Sequence, residues 1–224
     1  MKPTISIIAL FSFIYLLPTH AQSVLEFQAG LNVASLSDPG NLASTAVWNT
    51  RTGFIGAVTT DFTLSDEFSI NSGIRFVQKG MKSEFFYSPD MIRGTLTLNY
   101  LEVPVYLKFK IADLGTKLFV LGGPTFSYLL RSTWEANSDV NGEFSGYSDA
   151  GIKYKNYDAS VDVGLSTQTP FSAGLSILAT AFYSYGVVKI SDSISDGSGG
   201  RIATNSNEKT RDIRVMIGVD YLLN

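Results

Sequence analysis

The sequence predicts an all-β protein, an eight-stranded antiparallel up-and-down transmembrane β-barrel. Three observations carry this expectation. Hydrophobicity alternates with a period of two along most of the chain, and helical spacing is missing. The connections between alternating segments run strictly long, short, long, short. Finally, 45 % of the 224 residues are hydrophobic, with a mean hydropathy of +0.14. Yet no stretch beyond the N-terminus is long and apolar enough for a membrane-spanning helix.

Residues 1–21 read as a cleaved secretory signal peptide. Lys2 supplies the positive start, and Ile5 to Leu17 form an apolar core interrupted only by Ser6 and Ser12. Pro18 breaks that core, and Thr19-His20-Ala21 fits a small-x-small cleavage site before Gln22. The stretch is shorter than the ~20 residues of a spanning helix. The barrel domain is then residues 22–224. Removing Lys2 takes the net charge from −3 to −4, and removing His20 leaves a mature chain with neither histidine nor cysteine.

Eight alternating segments follow, at about 24–35, 52–64, 67–79, 95–110, 116–131, 157–167, 173–188 and 211–223. In the sixth, Tyr157, Ala159, Val161, Val163 and Leu165 alternate with Asp158, Ser160, Asp162, Gly164 and Ser166. In the last, Ile213, Val215, Ile217, Val219 and Tyr221 alternate with Asp212, Arg214, Gly218 and Asp220. Short turns are expected at Ser65-Asp66, Ile111 to Gly115 and Gln168 to Ser172, and long polar loops at 36–51, 80–94, 132–156 and 189–210. Short turns on one rim and long loops on the other are the habit of outer-membrane barrels.

Alternation alone does not say which face is outside, and a soluble lipocalin-like carrier is the alternative barrel. Lipid outside is favoured because the polar rows mix charges with glycine, which suits a narrow lumen filled by side chains. Aromatic residues also cluster near strand ends (Phe62, Phe68, Phe109, Tyr157, Tyr221), where interface girdles sit. Pro104 and Pro124 lie ten residues either side of Leu114. Proline removes a ladder donor, so a shared bulge or a local gap in pairing is expected at that height.

The run Leu98-Asn99-Tyr100-Leu101-Glu102-Val103-Pro104-Val105-Tyr106-Leu107-Lys108-Phe109-Lys110 resembles the "LNYLE[VI]PV-x-LK" strand of PorT-like, porin-family outer-membrane β-barrel proteins of Bacteroidetes-type bacteria. Leu64 to Ile70 with Gln78-Lys79-Gly80, Leu118 to Leu130, Tyr183 to Gly186, and Ala29 to Asn32 resemble other strands of that family in order. The resemblance implies an outer-membrane location and insertion by the barrel-assembly machinery. Gly218, Tyr221 and Leu223 fit a C-terminal assembly signal of Gly-x-x-aromatic-x-apolar, with Asn224 added beyond it. Where many relatives carry an arginine before the Tyr-Ser-Tyr-Gly run, this chain has Phe182.

The candidate site is a barrel-interior polar network of Arg75, Lys79, Glu102, Lys108, Asp162, Arg214 and Asp220. The expected pairing joins Glu102, Asp162 and Asp220 to Arg75, Lys108 and Arg214, because an unpaired interior charge is costly. Elsewhere, Asn137 to Glu143 imitates the start of a calcium loop but has Ser148 at the twelfth position. Asp192, Asp196 and the glycines after it lack the calcium-binding repeat. No metal or cofactor is expected. The net charge gives no footprint for nucleic acid.

Expected partners are outer-membrane lipid and lipopolysaccharide phosphates, the latter through Lys79, Lys82, Arg93, Lys153 and Lys155 beside the long loops. Trp48 and Trp134 are expected on the rim. Barrel enzymes that transfer acyl groups use histidine beside serine, so enzymatic activity is not expected. The functional expectation is a non-enzymatic membrane protein with a structural or loop-mediated binding role. A narrow channel, or an accessory component of transport or secretion, is the alternative.

Overall fold

The computed structural model describes residues 23–37, 47–87, 90–138, 142–146, 152–195, 201–203 and 207–223. The expected signal peptide, residues 139–141 and Ser148 of the calcium-like loop, the run Asp196 to Gly200, and Asn224 all lie outside the described residues. The described strands are β1 (Ser23–Ser37), β2 (Val47–Thr63), β3 (Phe68–Tyr87), β4 (Asp90–Asp113), β5 (Lys117–Ser138), β6 (Gly142–Gly146), β7 (Ile152–Tyr154), β8 (Tyr157–Ser172), β9 (Leu175–Gly186), β10 (Ser191–Ser195), β11 (Arg201–Ala203) and β12 (Lys209–Leu223). Eight of these, β1 to β5 with β8, β9 and β12, pair antiparallel with their neighbours. The ring closes where β1 meets β12, from Ser23↔Leu223 to Ser37↔Lys209. The four short strands belong to the long-loop rim. There β6 extends the sheet beside β5, and β7, β10 and β11 form a separate three-stranded sheet.

The alternation sorts residues by face as the sequence implies, with the apolar rows outside. On β12, Ile213, Val215, Ile217, Val219 and Tyr221 are exposed while Asp212, Arg214, Met216 and Asp220 are buried. On β4, Leu101, Val103, Val105, Leu107 and Phe109 are exposed and Glu102, Tyr106 and Lys108 are buried. Ile217 is 66 % exposed and Arg214 0 %, the reverse of a soluble barrel. Phe68 and Phe109 stack with ring centroids 4.8 Å apart at the short-turn rim, and Tyr157 marks the other end of the apolar belt.

The wall strands run longer than the hydrophobic pattern indicates. Residues 80–87 and 90–94 continue the β3–β4 ladder up to Tyr87↔Asp90, where a loop was expected. Alternation persists there, with Met81 and Ser83 buried and Lys82 and Glu84 exposed, but both rows are mixed in polarity above the lipid belt. The third short turn also differs. It is Ala173-Gly174, with β8 running through Gln168 to Ser172 and a register shift between Pro170 and Ser172. Gly174 has φ +75°, the left-handed conformation that a two-residue hairpin requires and that glycine tolerates.

The prolines interrupt pairing without changing register. Between β4 and β5 the ladder lapses after Pro104↔Thr125 and resumes at Leu107↔Gly122, leaving Val105 and Tyr106 unpaired opposite Pro124 and Gly123. Between β3 and β4 it lapses between Ser72↔Val105 and Arg75↔Glu102. A local gap therefore forms, on both sides of β4, and the bulges of the β4–β5 pair sit elsewhere. Ser72 partly compensates by donating its hydroxyl to the Pro104 carbonyl at 2.8 Å. At the closing seam, a Cβ on Gly218 would lie 2.0 Å from the Phe27 carbonyl oxygen. This member of the expected assembly signal is thus also required for the close approach of β1 and β12.

Candidate functional site

Strand parity directs charged side chains from six strands into one lumen, where they form two layers. In the central layer Arg75 (β3) lies opposite Glu102 (β4) in the ladder, and its Nη2 is 2.7 Å from Glu102 Oε2. The same guanidinium crosses the lumen to Asp162 Oδ2 on β8, at 3.0 Å. Arg214 (β12) completes the ring, with Nη1 2.9 Å from Asp162 Oδ2 and Nη2 3.3 Å from Glu102 Oε1 and 2.9 Å from Asp212 Oδ2. Lys79 reaches Glu102 at 3.0 Å, Asp158 at 3.4 Å and Asp212 at 3.6 Å. All of these side chains are essentially shielded from solvent. Hydroxyls supply further donors. Tyr106 and Thr125 donate to Asp162, Ser127 donates to Glu102 at 3.1 Å, and Thr210 donates to Asp158 at 2.9 Å.

The second layer lies nearer the short-turn rim. Lys108 Nζ is 2.9 Å from Glu26 Oε1 and also pairs with Asp61, and it sits 4.6 Å from the centroid of the Phe119 ring. Thr59 donates to Glu26 at 2.9 Å, and the Asn71 amide donates to Glu26 at 3.0 Å and to Asp61 at 2.6 Å. Between the layers is a void of about 10 Å³, room for roughly one water. Below the second layer a vestibule of about 380 Å³ opens at the short-turn rim, lined in part by Asp61, Lys110, Lys117, Phe119 and Gln168.

Of the seven residues expected in the network, Arg75, Lys79, Glu102, Asp162 and Arg214 come together in the central layer. Lys108 does not join them, because it stands one layer lower and takes Glu26 and Asp61. Asp220 is buried at the vestibule and accepts a hydrogen bond of 2.6 Å from the Gln168 amide, so the expected pairing of Asp220 with a cation is corrected. Glu26, Asp61, Asp158 and Asp212 were not among the expected network, although each sits on the polar parity of its strand.

Other expectations resolve similarly. Phe182, where an arginine was anticipated from relatives, places its ring 5.0 Å from that of Tyr106 and 5.9 Å from the Arg75 guanidinium. It thus forms an aromatic floor beside the cation it does not replace. Lys79 is wholly inside the lumen and cannot serve the outer surface. Lys82 and Arg93 are exposed, and the Lys153 side chain lies outside the described residues. Trp48 and Trp134 pack against the buried apolar cluster that includes Leu98, Tyr100, Tyr154 and Ile190. Ile190 is held there as the Lys155 amide donates to its carbonyl at 2.8 Å and its own amide donates to the Glu208 carbonyl at 3.0 Å.

A closed ring of eight strands with an apolar exterior and an ion-paired interior defines an integral outer-membrane β-barrel. The chain belongs to the outer membrane protein beta-barrel domain family, whose profile matches residues 20–218. Among solved structures it is similar to the outer membrane protein OprG from Pseudomonas aeruginosa. That match has a TM-score of 0.53 at 10 % identity and covers 92 % of this chain and 98 % of that one. It is also similar to the outer membrane protease OmpT from Escherichia coli, with a TM-score of 0.51 at 10 % identity and the same coverage of 92 % and 98 %. At these identities the likeness shows the fold alone. No curated protein matches the chain in sequence. With its apolar rows exposed, the soluble carrier is set aside.

Proposed function

We propose that the protein is a non-enzymatic outer-membrane barrel of the PorT-like branch, with a structural or loop-mediated binding role and a lumen that conducts no solute. The observation that carries this reading is the pair of ionic layers. Arg75 and Arg214 tie β3, β4, β8 and β12 together across the lumen, and Lys108 ties β1, β2 and β4 one layer below. An eight-stranded barrel has an interior that side chains fill, whereas open channels need about 16 strands. The strand Leu98 to Lys110 supports the branch assignment. A non-catalytic role is supported by the absence of cysteine from the sequence and by a single histidine at position 20, ahead of the barrel.

The test is planar-bilayer recording with protein whose insertion is first established by heat-modifiable gel mobility in the same lipid. The expected record shows no conductance steps. Reproducible ohmic steps would overturn the sealed lumen and favour the transport reading.

A further inference from the structure

The outer wall is not uniform above the lipid belt. On β12 the apolar row from Leu223 to Ile213 covers ten residue steps, roughly 33 Å of strand. At the usual tilt that is roughly the 25 Å height of an apolar band. The next outward residue is Arg211, which is exposed. It pairs across the ladder with Tyr185 of β9, and its guanidinium lies 5.4 Å from the centroid of that exposed ring. Just ahead of β8, which neighbours β9, half-buried Lys155 places its Nζ 5.9 Å from the ring centroid of Tyr157, a residue 60 % exposed. Arg131 of β5 is exposed just beyond the register shift opposite Asn99 and Tyr100.

The carboxylates of the same region turn the other way. Asp158, Glu208 and Asp212 are all buried on the lumen side, so the described outward charge immediately above the belt on β8 and β12 is cationic. The short-turn rim shows the opposite polarity. Exposed Asp66, Glu67 and Asp113 outnumber Lys110 and Lys117 there, and Asp66 and Glu67 line the vestibule together with both lysines. The long-loop rim, where Lys82, Arg93, Arg131 and Arg211 are exposed beside Glu84 and Glu135, faces the cell exterior in outer-membrane barrels. The lipid at that level in an outer membrane is a phosphorylated glycolipid.

We propose that the wall of β8, β9 and β12 above the apolar belt, centred on Arg211 and Lys155, binds the phosphate groups of the outer-leaflet glycolipid. A guanidinium stacked on an aromatic ring keeps its edge N–H groups directed outward, and that edge matches two phosphate oxygens. Tyr185 and Tyr157 restrain cations that would otherwise sample many rotamers, which lowers the ordering entropy of binding. The acyl chains of the same lipid lie against Ile213, Val161 and Tyr183 below, all exposed on the same face. One molecule thereby meets a charged and an apolar surface together.

The experiment uses the folded full-length protein in neutral detergent, with native mass spectrometry to count retained lipid. The probes are diphosphoryl lipid A, the same lipid with its phosphates removed, and phosphatidylglycerol. Wild-type protein is expected to prefer the diphosphoryl form by about tenfold over either other lipid. The double variant Lys155→Gln with Arg211→Gln is expected to lose that preference. The pair Lys110→Gln with Lys117→Gln at the short-turn rim is expected to retain it. Both double variants must keep heat-modifiable mobility. Equal retention of the three lipids by wild type would overturn the proposal, as would an unchanged preference in the first double variant. Competition by millimolar inorganic phosphate would assign the site to the free anion and overturn it as well.

Discussion

Replacing Arg214 with methionine is expected to lower stability by about 3–5 kcal/mol, the usual effect of removing one partner from a buried ionic network. Arg214 is 0 % exposed and contacts Glu102, Asp162 and Asp212. Without it, Arg75 and Lys79 alone must neutralise these carboxylates and Asp158. Methionine fills similar space, so the loss is one of charge compensation and hydrogen bonding more than of volume. Urea unfolding in phospholipid vesicles, followed by the fluorescence of Trp48 and Trp134, provides the measurement. An exposed cation on the same protein, Lys82, replaced by methionine, is expected to shift stability by no more than about 0.5 kcal/mol. If the two substitutions had equal effects, the interior layer would contribute nothing particular to the fold.

Placing a lysine at Ile217 is the second large effect. Ile217 lies midway along the outward apolar row of β12 and is 66 % exposed. In water an exposed isoleucine tolerates lysine within about 0.5 kcal/mol. At the middle of a bilayer the same change costs about 2–4 kcal/mol, and the cost declines toward the interfaces. Vesicle unfolding of Ile217→Lys beside Arg211→Lys separates the two solvents. A loss near 3 kcal/mol at position 217 with almost none at 211 fits lipid around the belt. Equal, small losses at both would mean that water surrounds it.

Much of this arrangement was legible in the sequence because a barrel has only one geometric rule per strand. Parity alone places Asp158 and Asp162 inside and Val161 and Val163 outside, and it closes β12 on β1 with Ile213 facing the same way as Val33. Parity does not give height. Arg75 and Arg214 meet on the shared carboxylate of Asp162, from strands that are not neighbours of β3, and that meeting depends on the stagger of the closed sheet. This is why Lys108 was matched to the wrong layer and why Glu26 and Asp61 escaped notice as its partners.

The turn at Ala173-Gly174 was misread for a related reason. Gln168 to Ser172 carries proline and polar residues, the marks of a turn, but these residues sit beyond the apolar belt, where strands need no hydrophobic alternation. Lys79 shows the converse. It follows an apolar row and precedes Gly80, and so resembles a loop cation, yet its parity with Arg75 and Val77 carries it into the lumen. Pro104 and Pro124 were readable because proline removes a specific donor, and the pairing lapses on the strands beside them.

The central claim is that the apolar rows meet lipid and the charged rows meet each other. The sequence contains no cysteine, so single-cysteine variants at Ile213, Val215, Ile217 and Val219 can each carry one bimane without background labelling. In vesicles, brominated lipid and aqueous iodide compete as quenchers of that probe. Strong quenching by brominated lipid at all four positions, with little by iodide, is the predicted result. Strong quenching by iodide with none by brominated lipid would contradict it.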